Sequence, residues 1–384
     1  MMERVSRREF LRRWGKGILG IGLLSLPLPR RRAEAKGFEP RKGFLEPIPS
    51  PFFRPLEGKD VECILCPRHC EISPGERGHC EVRENRDGTL YTLAYANPCA
   101  VHIDPIEKKP FFHVLPGTRC FSIATAGCNL DCCFCQNWQI SQTSPDKTYN
   151  YHLPPQQVAE LAAAYDCPTI ASTYTEPTVF FEYTLAAAKA AKKRGIIYTY
   201  HSNGFIEPEP LRELGQYLGA ACVDLKGFSE EFYEKMSNAS LAPVLRTLKA
   251  IHGMGIHLEI VNLVIPTKND DPGMIREMCL WIKRELSPSV PLHFSRFFPM
   301  YRLTKLPPTP VSTLERAREV ALEVGLEYVY IGNVPGHEAE NTYCPRCKKL
   351  LIRRRGFFVL VNHLKGGKCP HCGKEIAGIW ERPS

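Results

Sequence analysis

The chain has 384 residues, a net charge of +9 and seventeen cysteines, enough length to bury a large core and carry more than one folded unit. Residues 1–35 hold nine Lys/Arg against three Asp/Glu and residues 344–384 hold ten against two, so the body between is about −5; this argues against a general nucleic-acid surface and leaves only a basic tail. Most cysteines fall at CxxC-type spacings, the pattern of metal sites rather than of a disulfide frame.

In chain order, Ser6-Arg7-Arg8-Glu9-Phe10-Leu11-Arg12 reads as a twin-arginine export motif. An apolar run from Gly17 to Pro29 follows, then Ala33-Glu34-Ala35, a small-x-small site suited to cleavage. The run is too short, and too broken by Pro27 and Pro29, to span a bilayer. Residues 1–35 are therefore expected to be a leader for export or membrane association. Residues 36–60 are rich in proline and are expected to form an extended, poorly ordered linker.

A Cys-rich segment, 61–115, carries Cys63, Cys66, Cys70 and Cys80 as C-x2-C-x3-C-x9-C. Four thiolates suit zinc or an auxiliary iron–sulfur cluster, and an exported protein could instead pair them as two disulfides. His69 and His79 are alternative ligands there, whereas Cys99 and Cys120 are not expected to bind metal.

Residues 116–336 alternate short apolar runs with helical patterns. Strands are expected at Cys120–Ala124, Thr169–Tyr174, Ile196–Tyr200, Ala221–Leu225, Leu258–Val264, Leu292–Phe297 and Tyr328–Ile331. Helices are expected at Pro155–Tyr165, Phe180–Lys193, Leu211–Leu218, Pro272–Leu286 and Ser312–Val324. About six βα units predict an α/β fold, a partial (β/α)6 TIM-like barrel, with its active groups at the carboxyl ends of the strands. Directly after the first strand comes GCNLDCCFCQN, in which Cys128, Cys132 and Cys135 stand as C-x3-C-x2-C. A [4Fe–4S] cluster usually takes four thiolates, so three leave one iron open. Cys133 reads as a packing residue, and Cys167, Cys222 and Cys279 as core thiols.

Residues 337–384 hold Cys344, Cys347, Cys369 and Cys372 as C-x2-C-x21-C-x2-C, the spacing of a structural zinc ribbon. His371 lies inside the second knuckle and is expected to be exposed. Arg353-Arg354-Arg355 between the knuckles reads as a solvated hairpin, with an acidic partner or nucleic acid as the alternative.

The words IEKKPFFHVLPGT (106–118), GCNLDCCFCQNWQIS and YTEPTVFFEY resemble the radical SAM superfamily. Within it they resemble pyruvate formate-lyase activating enzyme and, most of all, the AmmeMemoRadiSam branch, over about 63–372. The resemblance implies a [4Fe–4S] cluster on Cys128, Cys132 and Cys135 whose open iron takes S-adenosylmethionine. It also implies a low-potential electron donor, and a 5′-deoxyadenosyl radical that abstracts hydrogen from a substrate. That substrate is a protein if the chain acts like a glycyl-radical activase; modification of another protein or of a small molecule is the alternative.

The resemblance further implies that Glu176, in Thr175-Glu176-Pro177, holds the amino group of S-adenosylmethionine, although the family's preceding glycines are missing. Ser202 and Asn203 would contact its methionine or ribose part, with His201 standing where the family has an acid. In Asp224-Leu225-Lys226, Asp224 and Lys226 share a strand face, and Lys226 would pair with the methionine carboxylate. Asn262-Leu263-Val264-Ile265-Pro266 with Asn269-Asp270-Asp271 looks like the family's fifth-strand turn. Arg296 and His293 are further candidates on the sixth strand, and Tyr301 falls where activating enzymes often carry histidine.

Two other readings stand beside this one. An exported, non-catalytic iron–sulfur electron carrier would not need the Glu176, Ser202, Asn203, Asp224 and Lys226 set, and a nucleic-acid-binding zinc protein would rest on the tail charge alone. The leader also conflicts with a cytoplasmic location, where S-adenosylmethionine and low-potential reductant are made.

Overall fold

The computed structural model describes residues 39–382. The twin-arginine motif, the apolar run after it and Ala33-Glu34-Ala35 lie outside the described residues. From Glu39 onward the chain forms one compact unit.

Its centre is an eight-stranded sheet: β1 (Ala100–Pro105), β2 (Arg119–Ala124), β3 (Thr169–Ser172), β4 (Ile197–Ser202), β5 (Ala220–Asp224), β6 (His257–Val264), β7 (Leu292–Arg296) and β8 (Val329–Gly332). The strands lie side by side in chain order. β1 pairs antiparallel with β2, and every later neighbour pair is parallel. β3 is buried at all four residues and β5 at four of five, so neither segment alternates apolar with polar residues as a half-exposed strand would.

The helices α1 (Pro155–Ala164), α2 (Phe181–Lys192), α3 (Pro208–Gly215), α4 (Glu230–Ser237), α5 (Leu241–Gly253), α6 (Pro272–Glu285) and α7 (Val311–Val324) fill the connections. Six βα units followed by β8 make the partial TIM-like barrel that the alternation predicts. Local chemistry sets the helix ends. Asp271 caps α6 by accepting the Met274 N–H at 2.8 Å, with Pro272 at the first helical position. Ser229 caps α4, which stops on Asn238 in the left-handed region. Cys120 and Cys222 pack in the barrel interior with Phe111, Ala171 and Val261, and Cys279 is fully buried on α6.

Three parts differ from expectation. β1 was unforeseen. The connection from β5 to β6, for which no helix is predicted, holds both α4 and α5, although Leu241, Val244, Leu248 and Ile251 bury one face of α5 at helical spacing. The Pro-rich stretch is paired rather than loose: Ile48–Pro49 adds to a hairpin at 83–92, and Phe53–Pro55 pairs with Val61–Cys63. Proline is tolerated there because these are short edge strands.

At the other end, Thr342–Tyr343, Leu350–Arg355 and Phe358–Asn362 form a three-stranded antiparallel sheet. Leu351, Ile352, Cys344 and Cys369 share a hydrophobic cluster with Phe112, Tyr328 and Tyr330, so this sheet packs onto the barrel. Among the described residues no helix is long and apolar enough to cross a membrane.

Candidate active site

β2 delivers the chain into the three-cysteine loop through Gly127, at φ +98°. A Cβ there would stand 2.3 Å from Val82 Cγ2 and 2.8 Å from the Cys80 carbonyl oxygen, so only glycine fits. Each loop thiol has its own polar neighbour. The Leu130 N–H points at Cys128 Sγ at 3.4 Å and Asn203 Nδ2 at 3.8 Å. Cys132 Sγ lies 3.3 Å from Ser237 Oγ, and Cys135 Sγ 3.1 Å from Ser141 Oγ. Cys133 is turned away, with Sγ 4.0 Å from Met236 Sδ, in the packing role expected of it.

The end of α4 clamps the loop. The Asp131 and Cys133 N–H groups donate to the Ser237 and Met236 carbonyls, both at 3.0 Å. Burial pushes the Cys128 thiol well above its ordinary range, helped by Glu176 and by the neighbouring Cys132, and raises Cys132 to about 11. Such thiols ionise readily only when a cation arrives to balance them, which fits a metal-cluster ligand set.

Glu176, just past β3, is fully enclosed. Oε1 accepts from the Thr178 N–H (2.9 Å), Thr178 Oγ1 (2.7 Å) and Ser202 Oγ (2.7 Å), while Oε2 accepts from the Asn203 N–H (2.7 Å). Burial raises its carboxyl pKa against these donors. Its carboxylate therefore ties the end of β3 to the end of β4. Ser202 also accepts the Gly204 N–H, and Asn203 Nδ2 donates to Asn129 Oδ1 at 2.9 Å. Glu176, Ser202 and Asn203 thus come together beside Cys128, engaged with one another.

Asp224, at the end of β5, lies 3.0 Å from both Lys226 Nζ and His201 Nε2. Desolvation opposes both charges of the first pair, but each partner overcomes it for the other. Asp224 is held below the usual carboxylate range by Lys226 and His201, and Lys226 above the usual ammonium range by Asp224 and Cys132. All three side chains keep some exposure at the barrel mouth. Lys226 is fixed from behind, because Asn269 Nδ2 donates to its carbonyl and to that of Leu263. Asp270 and Asp271 serve the turn and the α6 cap instead.

The sixth-strand candidates separate. His293 is buried and bonded to Glu259 Oε2 at 2.7 Å, in a network that also takes His257 and the Phe112 and His113 N–H groups; it does not reach the mouth. Arg296 spends its Nε on the Thr309 carbonyl and lies over the Phe298 ring. Tyr301 stacks on Trp138 with centroids 5.4 Å apart. The Arg302 N–H donates to the Cys133 carbonyl, so this turn leans on the cysteine loop.

At the C-terminus, Cys344, Cys347, Cys369 and Cys372 place all four sulfurs within 4.8 Å of one another, a set able to hold one metal ion. Arg354 is not a solvated residue of the hairpin. It is buried, donating to the Phe112 carbonyl at 2.7 Å and to Thr342 Oγ1 at 2.8 Å, with Arg353 and Arg355 left outside. His371 is exposed, as expected. Cys63, Cys66, Cys70 and Cys80 line one pocket together. All cysteines are free thiols, so the disulfide alternative is absent from this structure. His69 engages Glu62 and Glu207, and His79 engages Asp131, rather than joining that cavity.

Sequence reasoning did not find Asn129, Ser141, Ser237 or Asn269 as supports. Asn129 lies inside the cysteine word and was within reach of it; Ser237 and Asn269 are brought to the loop and to Lys226 by long-range contacts. Nor did it find the buried group of Lys109, Asp104 and Tyr174, where Lys109 Nζ lies 2.7 Å from Asp104 Oδ2 and bonds the Tyr174 hydroxyl.

A parallel-strand barrel with three cysteines after its first strand and polar groups on the next strand ends defines a class, and the comparisons agree with it. The Radical SAM superfamily profile matches residues 122–279. An uncharacterised protein of Methanocaldococcus jannaschii, MJ0808, is 46% identical over 85% of this chain and 97% of its own; a second from that organism, MJ0674, is 23% identical over 70% and 76%. A domain of a pyruvate-formate lyase-activating enzyme from Bacteroides vulgatus superposes with TM-score 0.38 at 14% identity, covering 42% of this chain and 98% of that one. Streptococcus suis SuiB bound to S-adenosylmethionine gives TM-score 0.46 at 13% identity, covering 62% and 56%. The chain belongs to the radical SAM superfamily. That family implies a [4Fe–4S] cluster and S-adenosylmethionine, and three thiols on one loop, Cys132 buried and Cys128 and Cys135 part-exposed, fit the first.

Proposed function

We propose that this radical SAM enzyme cleaves S-adenosylmethionine and takes hydrogen from a polypeptide substrate, in the manner of a glycyl-radical activase. The observation that carries the reading is the ring of groups around the three-cysteine loop: Glu176, Ser202 and Asn203 against Cys128, and Asp224 and Lys226 against Cys132. A plain electron carrier has no use for these. When bound, the cluster and S-adenosylmethionine supply the hydrogen-abstracting radical chemistry.

The protein's own residues do the positioning. Asn203 and the Leu130 N–H steady the Cys128 sulfur, and Glu176 locks the ends of β3 and β4. Lys226, charged and partly exposed, offers an ammonium to a carboxylate arriving at the mouth. Beside the loop, Trp138 stacks on Tyr301, and Phe298, whose carbonyl accepts from Gln136 Nε2, is exposed; such aromatic surface suits a polypeptide.

The electron donor is proposed to be a low-potential one-electron carrier. The C-terminal thiols are proposed to hold structural zinc, since sulfur separations of 3.6 and 3.7 Å match a tetrahedral site with Zn–S of about 2.3 Å. The Ser6–Arg12 motif supports a leader working through the twin-arginine route; a reporter fusion exported equally well with Arg7→Lys and Arg8→Lys would refute that.

The test of the site is the electron paramagnetic resonance of the reduced, reconstituted protein. Adding S-adenosylmethionine should change the cluster signal in wild type. A signal unchanged at saturating S-adenosylmethionine would overturn the reading.

A further inference from the structure

The described cysteines fall into two geometries. In the C-terminal set, Cys344 to Cys372 and Cys347 to Cys369 span 3.6 and 3.7 Å, and all four sulfurs lie within 4.8 Å. One tetrahedral ion imposes that closeness. Among the described residues no other group of three or more draws so near, neither the Cys128, Cys132 and Cys135 loop nor the N-terminal four. A cube of four irons carries its thiolates at the outer corners and holds them further apart than a single ion does. Cys63, Cys66, Cys70 and Cys80 are thus not gathered as tightly as the C-terminal four.

These four thiols converge on one pocket that is also lined by Leu65 and Ile72. A second, independent observation comes from Arg83, which lines the same cavity and is 1% exposed. Its Nη atoms bond Glu182 at 2.6 and 2.8 Å, the Val179 carbonyl and Ser50 Oγ, but its Nε is buried with no acceptor. A buried guanidinium N–H left unpaired is costly, and the sulfur atoms of a cluster in this cavity would be acceptors for it.

The cavity also abuts the site already described. Asn129, next to Cys128, and Thr178, bonded to Glu176, line it, and the Cys80 carbonyl is one of the atoms that make Gly127 obligatory.

We propose that Cys63, Cys66, Cys70 and Cys80 hold a second, fully thiolate-ligated [4Fe–4S] cluster, separated from the first by Asn129 and the Thr178–Val179 segment. The proposal is independent of S-adenosylmethionine cleavage, because its readout is metal and sulfide content. The full-length Cys128→Ala, Cys132→Ala, Cys135→Ala variant, reconstituted anaerobically with iron and sulfide, should still bind about four irons and four acid-labile sulfides per chain. Its Mössbauer spectrum should be that of a cluster unaffected by S-adenosylmethionine, and adding Cys66→Ala and Cys80→Ala should remove it. Zinc without labile sulfide at this site, or no metal at all, would overturn the proposal. Should the triple variant not fold, wild type decides: about eight irons and one zinc per chain support the second cluster, and about four irons with two zincs refute it.

Discussion

Two residues show how burial turns ordinary side chains into specific ones. Lys226 keeps its charge inside the barrel mouth because Asp224 and Cys132 offset its desolvation, which makes it the cation available to an incoming carboxylate. A hydrogen bond to a charged group contributes about 1.5–3 kcal/mol, so Lys226→Met should weaken S-adenosylmethionine binding roughly 10- to 100-fold. Equilibrium dialysis on the reconstituted protein checks this; affinity within twofold of wild type would contradict it. His113 is the reverse case. Burial holds it neutral and lowers its pKa from 6.5 to about 3, and its ring spans the Ala377 carbonyl and the Tyr330 hydroxyl, each at 2.6 Å. The unfolded chain takes up that proton below about pH 6.5 and the folded chain does not. Stability should therefore be full above pH 6.5 and fall as pH drops toward 3, by about 1.4 kcal/mol per pH unit within that window. In His113→Gln the denaturation midpoint should change less between pH 7 and pH 5 than in wild type, whatever its absolute stability.

At the scale of elements, the strands were legible because parallel strands are buried on both faces and leave unbroken apolar runs, as at Ala220–Val223. The cysteine loop was legible because its ligands are adjacent in sequence. What holds the loop was not: Ser237 and Met236 on α4 lie about a hundred residues away, and nothing in their local sequence marks them as its clamp. Glu176 was found as a site residue, but two of its four protein donors, Ser202 and Asn203, are brought to it by the pairing of β3 with β4. The turn into the loop yields its own prediction. With φ at +98° and the Cys80 carbonyl only 2.8 Å from an added Cβ, Gly127→Ala must displace either the loop or the Cys-rich segment. Iron content after reconstitution should fall by half or more, and the folded state should lose more than about 1 kcal/mol in denaturant unfolding.

Across the whole molecule, the C-terminal sheet is bolted to the barrel by a polar chain. Arg354 donates to Thr342 and to the Phe112 carbonyl, Thr342 meets the Tyr330 hydroxyl at 2.9 Å, and Tyr330 meets His113. The CxxC spacing marked the four C-terminal thiols that come together, whereas the Arg353-Arg354-Arg355 run concealed the buried member of its three, because alternation along a strand separates neighbours that look alike in sequence. Since the C-terminal sheet shares a hydrophobic cluster with the barrel, Cys369→Ala, which breaks the thiol set proposed to hold zinc, should lower the thermal midpoint of the entire chain in one transition. A separate early transition would show the ribbon to be an independent unit.

The central claim is that Cys128, Cys132 and Cys135 support reductive cleavage of S-adenosylmethionine, and the most direct measurement is product formation. Anaerobically reconstituted protein given dithionite and S-adenosylmethionine should form 5′-deoxyadenosine, and Cys128→Ala should form none above the protein-free background. Equal yields from the two proteins would contradict the account.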